Sequence, residues 1–482
     1  MIETKPLFSS MSEAESYLKE KFGVNESYDF GTLHTHLYEF PVLLVYINGL
    51  VDGMVLTELL TNAQVEIQEG TVDENKIIEH YFPYYSITQY DSKEKWLVAL
   101  LSGQVTFILN NGSVYTIDVR SYPGRNPEEP DNEKVVRGSR DGFTENIVQN
   151  TALIRRRIRD PDLKFELHQV STLGQTDIAI SYIKGIANED NLKQIRDRLN
   201  QIKHDGFTMT DKALEEWLFK QGFHPLPFVR YTERPDIAAA HLLEGHIVVV
   251  VDTSPSAIIV PTTIFHHLQH AEEYRQAPLI GTLVRWIRLA GVLLSLFLLP
   301  FWYLLSKHPE FLPKALDFFG PKETGEIPLF LQIIFADVGI EFLRLAAIHT
   351  PTPLSTAMGI IAALVIGQMA VDVGLFVPEV ILYTAITAIF TFAIPSYELS
   401  ISTKIFRTFI LVCTALLGAN GFFIALVILL FYVGSLRPLN VPYLWPLMPF
   451  FPKAFMRILV RFPMPVDAKR PFITRSYDRK RS

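Results

Sequence analysis

The charges of greatest chemical consequence in this chain sit where charge is costly. In the apolar segment from Ile327 to Ile348, Asp337, Glu341 and Arg344 recur at spacings of four and three, which places them on one helix face. A charge at bilayer depth costs about 2.5–3.5 kcal/mol on insertion scales and faces a bundle interior or water rather than lipid. Arg344 can pair well with only one of the two carboxylates, which leaves the other to attract a cation. Gln368 and Asp372, again four apart, repeat the device in the next apolar segment. Gly359, Ala362, Ala363, Gly367 and Ala370 of that segment would let helices approach closely. Asp337, Glu341, Gln368 and Asp372 are therefore expected to line an ion path. The alternative is that Glu341 and Arg344 neutralise each other near one membrane face while Asp372 ends its helix.

A second set is cationic. Phe143, Ile147, Ile154 and Ile158 recur at intervals of four and seven, one face of a helix over 143–160, with Arg155, Arg156, Arg157 and Arg159 on its other faces. Guanidinium groups so close together repel, so carboxylates or phosphates from outside the helix should meet them. The four arginines are expected to form a subunit or partner interface, the alternative being a solvated face paired with Asp160, Asp162 and Glu166. His266 and His270 lie one helical turn apart, with His267 and Glu273 nearby. That spacing can hold zinc, but the HExxH order is absent, and the single cysteine, Cys413, stands in an apolar run. No metal or cofactor is expected. Neither a P-loop, a GxGxxG fingerprint nor a GxSxG elbow is present, so catalysis is not expected either.

The elements that must position these residues divide the chain by polarity. Of 482 residues 49% are hydrophobic, too many for an ordinary soluble protein and too few for one wholly embedded in lipid. Leu289 to Ser306, Leu354 to Val371, Val380 to Tyr397 and Thr408 to Leu436 carry no charge. Each is close to or longer than the ~20 residues that cross a bilayer. With Ile327 to Ile348 this makes four or five membrane segments over 281–437, followed by a basic tail over 438–482 that is expected to face anionic lipid rather than nucleic acid, the alternative being a disordered, solvated terminus. Arg285 and Arg288 before the first segment and the basic tail place both ends inside, which asks for an even number of crossings.

The front half reads as α/β. Val42 to Val51, the pair of runs around Asn110-Asn111-Gly112, Thr176 to Lys184 and His246 to Val251 have strand patterns, and Asp190 to Ile202 is an amphipathic helix. The Pro- and acid-rich stretch from Ser121 to Glu133 reads as a linker. Two subdomains, 1–120 and 121–280, are expected. The N-terminus lacks a basic region followed by an apolar core, so this half is expected to stay in the cytosol.

Glu133 to Asp160 (EKVVRGSRDGFTENIVQNTALIRRRIRD), Tyr231 to Asp236 (YTERPD), Gly245 to Pro261, Glu341-Phe342-Leu343-Arg344, Ile366-Gly367-Gln368 and Pro395-Ser396-Tyr397 together resemble the A-subunit (GerA-type) family of spore germination receptors of endospore formers. The resemblance implies a cytosolic α/β domain of two subdomains joined to an all-α polytopic membrane domain in the inner spore membrane. It also implies oligomers that act as ligand-gated ion channels, with other germination membrane proteins, the lipid bilayer and monovalent cations as partners. Three roles follow as expectations: an ion-conducting subunit, a non-conducting scaffold, or a nutrient-receptor subunit.

Overall fold

The computed structural model describes residues 6–22, 27–37, 40–62, 78, 86–121, 133–206, 209–219, 222–311, 319–321, 325–349, 368–463, 470 and 474. They form two compact units, one of residues 1–222, 228–262 and 464–482, the other of 223–227 and 263–463.

The first unit holds two five-stranded, antiparallel sheets. In chain order the first layer comprises α1 (Met11–Phe22), β1 (Phe30–Leu37), β2 (Phe40–Ile47), α2 (Gly53–Asn62), β3 (Ile87–Gln89), α3 (Lys93–Leu101), β4 (Val105–Leu109) and β5 (Val114–Ile117). Its sheet runs β1-β2-β4-β5-β3. Side chains alternate along a strand, so Leu43, Val45 and Ile47 of β2 pack with Phe22, Trp96 and Leu100 of α1 and α3. Val42 and Leu44 join Phe107 and Tyr115 on the other face. The expected turn at Asn110-Asn111-Gly112 joins β4 to β5. Gly112 has φ +81, and a Cβ there would lie 2.0 Å from the carbonyl oxygen of Phe8, so only glycine fits.

The second layer comprises α4 (Ile147–Arg157), β6 (Leu163–Val170), β7 (Thr176–Ile183), α5 (Glu189–Asn200), α6 (Thr210–Phe219), β8 (Arg230–Thr232), α7 (Pro235–Leu243), β9 (Ile247–Val251) and β10 (Ala257–Val260), with sheet order β6-β7-β9-β10-β8. β9 (IVVVV) is buried along its whole length, as a central strand covered on both faces must be. α4 is shorter than the sequence spacing predicts. Asn146 caps it by accepting from Val148 N and Gln149 N, and Ile158 is already extended, so Phe143 and Ile158 are buried off the helix rather than on it.

The second unit is helical: α8 (Ala271–Arg275), α9 (Pro278–Lys307), α10 (Leu329–His349), α11 (Pro378–Phe392), α12 (Tyr397–Ser435) and α13 (Pro452–Leu459). It takes in 263–280 and 438–463, which the sequence places with subdomain two and the tail, because these stretches bond to the start of α9. Pro278–Lys307 and Tyr397–Ser435 are long and apolar enough to cross a membrane. The apolar segment Leu354–Val371 lies outside the described residues except for 368–371.

The 39 residues of α12 are two helices folded into a hairpin, where the uncharged run suggests one span. At ~1.5 Å per residue a straight helix would hold Phe406 and Tyr432 ~39 Å apart, whereas their ring centroids are 6.1 Å apart. The reversal is at Gly418, with φ 60 and ψ −138. Ile410 packs against Phe422 and Ala425 across it, and Lys307 at the end of α9 donates to Ala415 O at 3.3 Å beside the turn. This backbone conformation is open to glycine and costs other residues about 1–3 kcal/mol. Gly418→Ala should accordingly lower the thermal midpoint of the detergent-solubilised protein. Gly339→Ala, where the added Cβ meets nothing within 4 Å, should leave it unchanged or slightly higher; equal midpoints for the two variants would show that the reversal does not need glycine.

Candidate functional site

The charged stripe expected on α10 is present, and it is met by cations from α12. Arg407 Nη2 donates to Asp337 Oδ1 at 2.6 Å, Lys404 Nζ donates to Glu341 Oε2 at 2.7 Å and lies 3.7 Å from Asp337 Oδ1, and Arg344 Nη2 donates to Glu341 Oε1 at 2.6 Å. Asp337, Glu341 and Arg344 share a face of α10, and Lys404 and Arg407, three apart, share one of α12, so the five side chains form a ladder between two helices. Arg407 reaches further. Its Nη1 donates to Ser295 O of α9 at 2.9 Å and to Thr391 Oγ1 of α11 at 3.3 Å.

This corrects the expectation that one carboxylate stays unpaired to attract a cation. Both are neutralised within the chain, Asp337 at 11% and Glu341 at 23% side-chain exposure. A carboxylate buried among apolar helices without a cation would be strongly destabilising, and α12 supplies that cation. Lys404 and Arg407 were the residues sequence reasoning missed. Their signal was a pair of cations three apart immediately before the uncharged run from Thr408, facing helices that already carried carboxylates. Gln368 and Asp372 are exposed at the end of the helical residues 368–372 and share no hydrogen bond or ion pair with the ladder among the described residues.

The arginine cluster of α4 divides. Arg155 is 1% exposed. Its Nε donates to Asp29 Oδ2 at 2.8 Å, and its terminal nitrogens donate to Asp29 Oδ1 at 3.3 Å, Asp160 O at 2.8 Å and Leu163 O at 2.9 Å. It therefore cannot serve the expected interface, since its guanidinium is consumed in joining the two layers of the first unit. Tyr28 Oη, 2.6 Å from Thr151 Oγ1, and Phe165 N, donating to Ser27 Oγ at 3.1 Å, reinforce the same junction. Arg156, Arg157 and Arg159 instead line a surface cleft of about 440 Å³ with Ser139, Arg140 and Asp141. Arg157 pairs with Asp141 and donates to Ser139 Oγ at 3.0 Å. Burial would raise the Asp141 pKa, but the Arg157 guanidinium and the Ser139 hydroxyl outweigh it and hold the carboxyl below the usual range. Arg140 and Arg159 have no carboxylate partner among the described residues, so the cleft is cationic and open to an anion.

The histidine cluster is taken up by local structure. His266 Nδ1 accepts from Thr263 N at 3.1 Å, His270 caps α8 by accepting from Glu272 N, and Glu273 pairs with Arg285 at 2.9 Å and with Arg288.

Residues 16–473 match the model of the Bacillus/Clostridium GerA spore germination protein family. The chain belongs to that family. It is 47% identical to stage V sporulation protein AF of Bacillus subtilis (strain 168), over 98% of this chain and 97% of the relative. It is 30% identical to spore germination protein KA of the same organism, over 97% and 87%, and 28% identical to spore germination protein XA of Bacillus anthracis, over 91% of each. Among solved structures it is similar to the N-terminal domain of the A subunit of the Bacillus megaterium spore germinant receptor GerK3, with 28% identity, a TM-score of 0.42, and coverage of 54% of this chain and 97% of that one. The α/β front half followed by apolar helices agrees with the fold class expected of the family.

Truncating one partner of a buried ion pair costs about 3–5 kcal/mol, whereas a surface charge change usually costs within ±0.5 kcal/mol. Arg155→Met should therefore lower the chemical-denaturation stability of the protein by about 3–5 kcal/mol, and Arg159→Glu should leave it nearly unchanged. Equal losses would mean that Arg159 too is part of the internal packing.

Proposed function

We propose that the chain is a multi-pass subunit of the spore germination apparatus in the inner spore membrane, forming a homo-oligomeric ion-conducting channel that promotes ion release during germination. Its relatives are germination and sporulation proteins, and two of its helices are long and apolar enough to span a bilayer. The observation that carries the conducting role is the ladder. Lys404 sits between two carboxylates, 2.7 Å from Glu341 and 3.7 Å from Asp337, so a small shift of α12 against α10 transfers it from one to the other. Glu341, the more exposed of the two, then keeps only Arg344 on Oε1, and its Oε2 is open to a passing monovalent cation, in the way carboxylate rings select cations in pores. Arg407 keeps Asp337 neutral throughout. Asp337 thus positions the helices while Glu341 meets the ion, and Gln368 and Asp372 would extend the path beyond the ladder.

Glu341→Gln should keep the protein in the membrane with a thermal midpoint near wild type, while cutting monovalent-cation leak from liposomes several-fold and slowing germination. Asp337→Asn should instead lower the midpoint, because it strands Arg407. An undiminished leak from Glu341→Gln at equal protein level removes the ladder from the path.

The second reading, a non-conducting scaffold that docks other germination membrane proteins, is favoured by the cationic cleft of Arg140, Arg156, Arg157 and Arg159. On that reading liposomes holding the wild-type protein stay tight. Charge reversal at Arg156 and Arg159 then dissociates the detergent-extracted complex without unfolding it.

Arg285 and Arg288 ahead of the first apolar stretch support a cytosolic location for the first unit. In a Cys413→Ser background, Ser10→Cys and Ser476→Cys should both resist impermeant thiol reagents in intact cells. Labelling of Ser476→Cys alone would require an odd number of crossings.

A further inference from the structure

Within the helical unit the chain doubles back onto the start of α9. The last carbonyls of a helix have no partner inside it, and those of α13 are capped from α9. Arg285 Nη1 donates to Arg457 O at 2.8 Å and Ile458 O at 3.1 Å, and Trp286 Nε1 donates to Leu459 O at 2.8 Å. Arg461 N donates to Thr282 Oγ1 at 3.1 Å, and its Nη2 donates to Tyr274 O at 2.6 Å. Glu273, with 0% exposure, orients the Arg285 guanidinium at 2.9 Å. The far end of the chain's helical unit is thereby fastened to one end of α9.

That end stands at a definable depth. α9 has 30 residues, ~45 Å of helix at ~1.5 Å per residue, against a hydrocarbon core of ~30 Å. Its uncharged stretch, Leu289 to Ser306, matches the core. Residues 278–288, with Arg285, Trp286 and Arg288, are left over at the headgroup level, where basic and aromatic side chains gather. α13 is bonded to this overhang and shares its level.

α13 is built for that place. At 100° per residue, Phe455, Met456, Ile458 and Leu459 occupy one arc, with Lys453 and Arg457 opposite. Phe450 at 60%, Met456 at 50% and Phe462 at 39% exposure form an apolar patch with Leu447 and Met448. The patch shares this end of the bundle with the exposed Leu279 and Leu283 of α9. In water such a surface would be a liability. Against phospholipid the apolar arc enters the acyl boundary and the two cations reach the phosphates.

We propose that residues 447–462 form an in-plane membrane anchor, seated on the phospholipid surface and clamped through Arg285 and Trp286 to the start of α9. The proposal rests on the reading of α9 as a spanning helix. Its consequence is that the chain leaves the bilayer on the side where it first went in, which makes the number of crossings between 289 and 446 even.

The test uses the full chain in phospholipid nanodiscs, with Cys413→Ser and a single bimane label at Met456→Cys, Lys453→Cys or Leu294→Cys. Lipids with a doxyl quencher near the headgroup, lipids with one deep in the chain, and aqueous iodide report the depth of each label. Met456→Cys should be quenched about twofold or more better by shallow than by deep doxyl. Lys453→Cys should respond to iodide, and Leu294→Cys to deep doxyl. A Met456→Cys label open to iodide and untouched by either lipid, with Leu294→Cys still quenched by deep doxyl, overturns the anchor and leaves the span standing. Protection of Met456→Cys from both iodide and lipid means that protein, such as a second copy, covers the patch, and likewise overturns it. Failure of Leu294→Cys to respond to either lipid removes the span and the anchor together.

Discussion

One guanidinium holds the helical unit together. Arg407 projects from α12, pairs with Asp337 of α10 at 2.6 Å, and donates to Ser295 of α9 at 2.9 Å and Thr391 of α11 at 3.3 Å, so four helices meet on one side chain that is 2% exposed. Among apolar helices, packing alone leaves rotation and sliding weakly opposed, because one aliphatic surface substitutes for another. A buried charge is different. Its acceptors are few and fixed, and displacing any of them leaves an uncompensated ion. Arg407 therefore sets the register of the bundle, and Lys404 and Arg344 are ordered by what remains of the carboxylates.

The first unit uses the same device between its two layers. Arg155 of α4 bonds Asp29, just ahead of β1, and the carbonyls of Asp160 and Leu163, so the second layer grips the first through one buried ion pair. In both units the arginine is the adaptor: its planar fork presents several donors to acceptors on different elements, which the point charge of lysine does less well. The surface arginines beside Arg155 are of the same type but have a different role, since they surround a cleft in which cations outnumber carboxylates.

Legibility in the sequence tracked the range of the interaction. β2, β7 and β9 could be read because β-branched runs bounded by turns are local signals, and the turn at Gly112 because Asn-Asn-Gly announces itself. The stripe of Asp337, Glu341 and Arg344 was legible as helical spacing. Its partners were not, because Lys404 and Arg407 lie more than sixty residues away and only the folded bundle brings them near. Arg155 could not be told from Arg156, since four arginines in five positions look alike until burial separates them. The reversal within α12 was hidden by hydropathy, which sees no interruption between Thr408 and Leu436. The sequence Gly418-Ala419-Asn420-Gly421 carried the turn signal within the apolar run.

That reversal bears on how the chain is made. Two helices of roughly 20 and 17 residues joined at a single glycine have almost no loop to translocate, and neither half, emerging alone, carries flanking charge at the turn to orient it. They are suited to enter the bilayer as a pair, each satisfying its backbone internally while the other shields it. The cations at 404 and 407 both lie in the first half, and Arg407 reaches Ser295 within the uncharged stretch of α9. On the reading of this unit as membrane-spanning, the cations that could orient the pair are the same residues that hold the finished bundle in register.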